Sequence, residues 1–261
     1  MIDSETRLLC LLGKPVIHSK SPYLHNSLIK KYNLNVVYLA FKVFDFEIAV
    51  SCLKALNFLG ANITLPFKSD VLEFLDSIDD DARTSGAVNT VLNKNEKLYG
   101  FNTDVYGIRK SLKVRDKKVL ILGAGGGARA ACVALKENEI VVVNRDFRRA
   151  KELEKNFNCR AEAFKNLNLV VRESDVVVNA TPVGMYPNSD ISLIPKEFLK
   201  KEHTVFDMIY NPKMTKLLKD ANAVGAKTIS GVEMFLHQGL KSFEIWTGIF
   251  PDTEFAEKVI S

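Results

Sequence analysis

Four groups of residues in this chain stand in combinations that can carry chemistry. In GKPVIHSKSPYLHN, residues 13–26, Ser19 and Ser21 flank one lysine and Pro22 follows directly. Two hydroxyls placed there are too polar for ordinary core; locally they read as an ST-type turn, with Ser21 able to cap the next helix. TLPFKSD brings Lys68 close behind Pro66, a residue well tolerated at the first position of a helix. A lysine there faces the positive end of the helix dipole, which disfavours its charged form, and a nearby carboxylate would restore it, leaving a group able to exchange protons. GFNTDVYG offers such a carboxylate in Asp104, and SGAVNT offers the short carboxamide of Asn89. Taken alone, Lys68 reads equally as a solvated surface lysine, and Asn102-Thr103-Asp104 as a capped turn.

The fourth group is a glycine turn. Gly123, Gly125 and Ala128 fit GxGxxG/A, directly after the apolar run VLIL and before AACVAL. Glycines let the backbone turn sharply and approach a pyrophosphate, which rests on the helix N-terminus. About twenty residues on, a dinucleotide site places the group that reads the adenosine ribose: an acid for NAD, an arginine for the 2′-phosphate of NADP. Here the run EIVVV ends in Asn144-Arg145-Asp146, followed by Arg148 and Arg149. The cationic surroundings favour NADP. Asp146 either opposes a phosphate or simply caps the helix FRRAKELEKNF, so NAD stays open.

The elements expected to hold these groups follow from hydrophobic pattern. RLLCLLG, VVYLAFKV and GANITLPF read as strands, the last ending at Pro66. DFEIAVSCLKALNFLG has helical spacing, with Ile48, Cys52, Leu53 and Leu56 on one face and Asp45 as its cap; AVNTVLNKNEKLYGFN reads as a hairpin turning at residues 93–96. From about residue 116 the order is strand, glycine turn, helix and strand, and SDVVVNATP, HTVFDMIY and AKTISG add further strands between helical segments. That alternation predicts an α/β fold with a mostly parallel sheet.

Composition narrows the class. Of 261 residues, 47% are hydrophobic and 26% charged, with a net charge of +5 and no dense basic tract, which speaks for a soluble globular protein and against nucleic-acid binding. The four cysteines lie far apart in apolar or amphipathic runs, as reduced core thiols do, and the four histidines form no metal pattern, so no metal site is expected. No run reaches membrane-spanning length and the opening lacks a secretory pattern, so the expected location is the cytoplasm.

In order along the chain, GKPVIHSKSPYLHN, NITLPFK, SGAVNT, GFNTD, GAGGGARA, NATPVGM, FDMIYNP and GVEMFLHQG resemble the shikimate dehydrogenase family, including its quinate/shikimate relatives. The resemblance implies an α/β substrate-binding domain over residues 1–105 and a Rossmann-type, doubly wound NADP-binding domain over 106–236. It also implies that helices from about 237 to 261 pack back on the first domain and that the active site lies in the cleft. By the same resemblance Lys68 and Asp104 form the catalytic pair, Ser19 and Ser21 hold the substrate carboxylate with help from Tyr210, and Thr64, Asn89 and Gln238 hold ring hydroxyls. On the cofactor side it implies Gly123, Ala124, Gly125, Gly126, Gly127 and Ala128 at the pyrophosphate, Asn144 and Arg145 at the adenosine ribose, and Thr181, Met208, Gly231 and Met234 near the nicotinamide.

The activity implied is reversible NADPH-dependent reduction of 3-dehydroshikimate to shikimate, a step toward aromatic amino acids. Asp146 stands where the family often has Thr or Ser, which leaves a quinate/shikimate dehydrogenase preferring NAD as the alternative within the class. Outside it stands a non-catalytic dinucleotide- or shikimate-sensing protein, which would not need both Lys68 and Asp104. The implied partners are small molecules, with no nucleic acid or membrane, and the family includes both monomers and dimers.

Overall fold

The computed structural model describes residues 2–260 and divides into two units: one takes the chain up to Thr103 and resumes at Leu236, the other is Asp104–Phe235. In the first, the apolar runs become β1 (Arg7–Gly13), β2 (Val36–Lys42) and β3 (Gly60–Ile63), separated by α1 (Ser21–Lys31) and α2 (Phe46–Ala55). β4 (Ser77–Ile78), α3 (Asp80–Ser85), β5 (Thr90–Lys94) and β6 (Lys97–Phe101) follow. The sheet runs β2-β1-β3-β5-β6-β4, with β1 parallel to β2 and β3, and with β5 antiparallel to β3 and β6. The expected hairpin is present: Asn95 and Glu96 take positive φ, as a two-residue turn between right-twisted strands requires.

Three local expectations need correction. The strand expected to reach Pro66 stops at Ile63, after which residues 65–69 form turns leading into a 3₁₀ helix at Asp70–Phe74. No α-helix starts at Pro66, so the dipole argument for Lys68 does not apply. Asp45 does cap α2, accepting from the Ile48 N–H at 3.1 Å, but the helix buries Val50 and Leu53 with Phe46 and Ala49, leaving Ile48 and Leu56 each 62% exposed. Phe46 sets that rotation by stacking on Phe67 at 4.3 Å between ring centres. Finally, Ser21 does not cap α1, whose N-cap is Lys20 with no side-chain bond; the hydroxyl that accepts the Ser21 N–H, at 3.2 Å, belongs to Ser19.

The second unit is wound as the alternation predicts. α4 (Thr103–Ser111) leads to β7 (Lys118–Leu122), α5 (Gly126–Ala134), β8 (Glu139–Asn144), α6 (Phe147–Asn156), β9 (Cys159–Ala163), α7 (Leu167–Glu173) and β10 (Val176–Asn179). β11 (Thr204–Asp207), α8 (Lys216–Ala223) and β12 (Lys227–Ser230) complete it. Its six strands are parallel in the order β12-β11-β10-β7-β8-β9. Both faces are covered: Val119 and Ile121 of β7 enter one apolar cluster while Leu120 and Leu122 enter another, which explains the unbroken VLIL run. Winding reverses between β7 and β10, the place where open α/β sheets receive ligands beyond the strands' carboxyl ends.

The chain returns to the first unit within α9 (Gly231–Thr247), followed by α10 (Thr253–Ile260). Trp246 of α9 donates from its indole nitrogen to the Val91 carbonyl at 2.9 Å, and Phe243 and Trp246 lie against Tyr38 and His25. His25 is fully buried among these rings, and burial pushes its pKa down to about 3. Cys10 and Cys132 are buried as expected of core thiols, whereas Cys52 and Cys159 are only half-buried; all four are free. Among the described residues no helix is long and apolar enough to cross a membrane, and no cluster of His, Cys, Asp and Glu could hold a metal ion.

Candidate active site

In the first unit, Ser19 donates its hydroxyl proton to Ser21 Oγ at 3.2 Å. The Ser21 hydroxyl keeps its own proton for another acceptor, at the uncapped, positive end of α1. Thr64 follows β3 directly, its N–H donating to the Leu12 carbonyl at 3.0 Å. Lys68, half-buried in the turn, is fixed through its backbone: its carbonyl accepts the Val88 N–H at 2.8 Å, one residue before Asn89.

Asn89 is buried at 3% exposure, and its Oδ1 accepts the Thr103 N–H at 2.7 Å. Its Nδ2 donates to Thr103 Oγ1 at 2.9 Å and, at 3.4 Å, to Gln238 Oε1. Two carboxamides expected at the ring hydroxyls are thus neighbours, although 149 residues separate them. Asp104, 6% exposed, stands in the first turn of α4 and belongs to the second unit, as does Tyr210, whose ring lies 4.6 Å from that of Phe235.

In the second unit the glycine turn joins β7 to α5. Gly123 has φ +107, a conformation that favours glycine, and a Cβ there would lie 3.1 Å from the Ala180 carbonyl oxygen. Gly125 is the N-cap of α5, no side chain caps that helix, and a Cβ at Gly125 would meet nothing within 4 Å. The N–H groups of Gly126, Gly127 and Ala128 begin this uncapped helix beside open space, a cradle that suits a pyrophosphate. A Cβ on Gly127 would touch Met208 at 3.5 Å, and one on Gly231 would strike the Met208 carbonyl oxygen at 2.4 Å. Met234, 8% exposed, belongs to the apolar cluster around α5.

At the end of β8, Asn144 donates to the Asp146 carbonyl at 2.9 Å and Arg145 is exposed. Asp146 caps α6 by accepting the Arg148 N–H at 3.1 Å, and its carboxylate also meets the Arg148 guanidinium at 3.3 Å. That arginine holds the Asp146 carboxyl below the usual carboxylate range. The acid is therefore engaged with its own helix rather than presented alone.

Three family models match the chain: shikimate dehydrogenase substrate binding domain over residues 11–91, shikimate / quinate 5-dehydrogenase over 108–221, and shikimate 5′-dehydrogenase C-terminal domain over 231–260. A shikimate dehydrogenase (NADP(+)) from Methanococcus maripaludis strain C7 is 42% identical, the match covering 100% of this chain and 98% of the relative. The chain belongs to the shikimate dehydrogenase family. Among solved structures, shikimate dehydrogenase from Aquifex aeolicus is 40% identical with a TM-score of 0.94, covering 100% of this chain and 99% of that one. Shikimate 5-dehydrogenase from Thermus thermophilus, in complex with NADP(H) and shikimate, is 36% identical with a TM-score of 0.88, covering 97% and 98%.

Sequence reading passed over Asp207, which ties together loops of the second unit. It is fully buried at the end of β11 and accepts from Asn179 Nδ2 at 3.0 Å, the Ile209 N–H at 3.1 Å and Thr215 Oγ1 at 2.6 Å. Asn179 in turn accepts from Thr181 Oγ1 at 2.7 Å, so one carboxylate ties together the segments carrying Thr181 and Met208. The only signal in the sequence was an acid closing the apolar run VFD. Burial raises the Asp207 carboxyl to about 6 despite the three donors. A raised pKa means that the folded state binds this proton more tightly than the unfolded chain, so its contribution to stability is full below pH 4 and is lost as pH rises to 6. Relative to Asp207→Asn, which does not titrate, the native chain should lose roughly 2–3 kcal/mol between pH 4 and pH 7. Denaturant unfolding of both proteins across that range measures it, and parallel pH profiles would refute the assignment.

Proposed function

We propose that the chain catalyses the reversible NADP-dependent reduction of 3-dehydroshikimate to shikimate. The full-length match to an NADP(+)-dependent shikimate dehydrogenase at 42% identity carries this reading. The pairing of buried Asn89 with half-buried Gln238 and the open glycine cradle support it from the geometry. A substrate with one carboxylate and several hydroxyls on a small ring calls for such a set, and analogues lacking a hydroxyl would leave buried groups unpaired.

In this reading the Ser19 and Ser21 hydroxyls, with Tyr210, bind the substrate carboxylate, and Thr64, Asn89 and Gln238 bind the ring hydroxyls. Lys68 gives a proton to the carbonyl oxygen during reduction and takes it back from the hydroxyl in reverse; Asp104 orients Lys68 and the substrate. Residues 123–128 hold the pyrophosphate, Asn144 and Arg145 face the adenosine ribose, and Thr181, Met208, Gly231 and Met234 border the nicotinamide. When bound, the cofactor supplies the hydride. The domain roles follow: residues 1–105 with the C-terminal helices for substrate, 106–236 for NADP. The enzyme works in the cytoplasm on small molecules, as a monomer or homodimer.

Asp146 favours a second reading in which NAD is also accepted. The test follows reduction of NADP⁺ and NAD⁺ by absorbance with shikimate and with quinate. Shikimate-dependent reduction, faster with NADP⁺, is expected. No turnover in any combination by folded, cofactor-binding protein would leave the sensing alternative. Arg145→Ala should raise the KM for NADP⁺ about tenfold, since a charge-assisted bond is worth roughly 1.5–3 kcal/mol when formed and less when exposed. The KM for NAD⁺ should stay constant, and an unchanged KM for NADP⁺ would remove Arg145 from the phosphate.

A further inference from the structure

We propose that Ser242, Thr90 and Asn62 are positioning residues that fix which end of the Asn89 and Gln238 carboxamides faces the substrate. The proposal deepens the functional reading and rests on it for the identity of the substrate. A carboxamide is almost symmetric in shape but donates at one end and accepts at the other, so its orientation decides what it can bind.

The structure shows how that orientation is set. β3 and β5 pair antiparallel with Asn62 opposite Thr90, and both side chains are buried, as are Thr103 and Ser242. Tyr38 donates from its hydroxyl to Asn62 Oδ1 at 2.7 Å, leaving Asn62 Nδ2 to donate to the Asn89 carbonyl and to Thr90 Oγ1, each at 3.1 Å, and to Ser242 Oγ at 3.3 Å. Ser242 sends its single proton to the Gln238 carbonyl at 2.9 Å, one turn back along α9. Its oxygen is then an acceptor, and Thr90 Oγ1 at 2.8 Å and Thr103 Oγ1 at 3.1 Å are within reach to donate to it. Thr103 Oγ1 can therefore accept from Asn89 Nδ2 while its N–H holds Asn89 Oδ1. With the oxygen of Asn89 fixed, its amino end is the one directed at Gln238 Oε1. Thr90 Oγ1 is also placed to donate to Asn89 Oδ1 at 3.3 Å, so one line of donors runs from Tyr38 through Asn62 and Thr90 to the Asn89 carboxamide, and a second runs from Asn89 Nδ2 through Thr103 and Ser242 to the Gln238 main-chain carbonyl. Removing a link leaves a buried hydroxyl or amide unsatisfied and loosens the hold on the Asn89 carboxamide, and through it on Gln238.

The test uses the full chain with Ser242→Ala, Thr90→Val and Thr90→Ser. Ser242→Ala and Thr90→Val should raise the KM for shikimate about tenfold and leave the Kd for NADP⁺, read by fluorescence, within twofold. Thr90→Ser, which restores the hydroxyl, should recover most of the loss. The deficit should disappear when shikimate is replaced by the analogue lacking the hydroxyl that Asn89 or Gln238 binds. A merely structural role would lower activity equally with every substrate, and that result, or an unchanged KM, overturns the proposal. Side-chain amide NMR signals of Asn89 and Gln238 should also move in Ser242→Ala. Unmoved signals overturn the positioning claim whatever the substrate, whereas moved signals without shikimate turnover in the native chain place the failure in the functional reading.

Discussion

Replacing Lys68 by alanine is expected to lower turnover of shikimate by roughly a hundred- to ten-thousandfold, the range for loss of a positioned general acid–base group. Binding of shikimate and NADP⁺ should weaken far less, because in the proposed reading the substrate's carboxylate and hydroxyls are held by Ser19, Ser21, Asn89 and Gln238 rather than by Lys68. Lys68→Arg makes the comparison sharper. Arginine keeps the positive charge but holds its proton above about pH 12, so it can orient a carbonyl oxygen without exchanging a proton. If charge alone mattered, arginine would restore activity; if proton transfer matters, it should remain close to alanine. The side chain starts from a fixed backbone point, since the Lys68 carbonyl is bonded to the Val88 N–H at 2.8 Å. Steady-state rates from NADPH absorbance, with separate binding titrations, measure both effects. An alanine variant within threefold of the native turnover would take Lys68 out of the chemistry.

The largest effect on stability should come from Gly60→Ala. A Cβ there would lie 2.3 Å from the Val91 carbonyl oxygen and 2.5 Å from the Trp246 indole nitrogen. Those are the two atoms joined by the 2.9 Å bond that anchors α9 to the sheet. One methyl group therefore collides with both partners, and neither can yield easily: one is backbone of a central strand, the other a ring packed on Tyr38 and His25. Overpacking with loss of a buried bond should cost about 3 kcal/mol or more. For a chain of this size that lowers Tm by roughly 6–12 °C. Calorimetry or circular dichroism would show it, and a change below 2 °C would mean that α9 repacks freely.

Much of this architecture was legible because its signals are local. VLIL before three glycines, Asp45 before one helix and Asp146 before another each act within a few residues, and the structure uses them as their spacing suggests. The helix expected from Pro66 does not form, because proline at a helix start is a preference that the following residues do not sustain; Asp70–Phe74 closes as a 3₁₀ helix instead. On α2 the apolar residues lie on more than one side, and only the stacking of Phe46 on Phe67 shows which side turns inward. Asn62, Thr90 and Ser242 carry no local signal at all. Their bonds to one another span 28 to 180 residues, so only pairing of β3 with β5 and docking of α9 reveal them.

The break in the first unit, between Thr103 and Leu236, also has a meaning in time. A ribosome finishes residues 1–103 and then makes the entire second unit before Phe243 and Trp246 exist. At roughly 5–20 residues per second the wait is on the order of ten to thirty seconds. Through that interval Tyr38, His25 and the polar row behind Asn89 lack the helix that covers them, while the second unit already has every strand of its sheet. The nascent chain thus completes its nucleotide half first, and its earliest segment is the last to close.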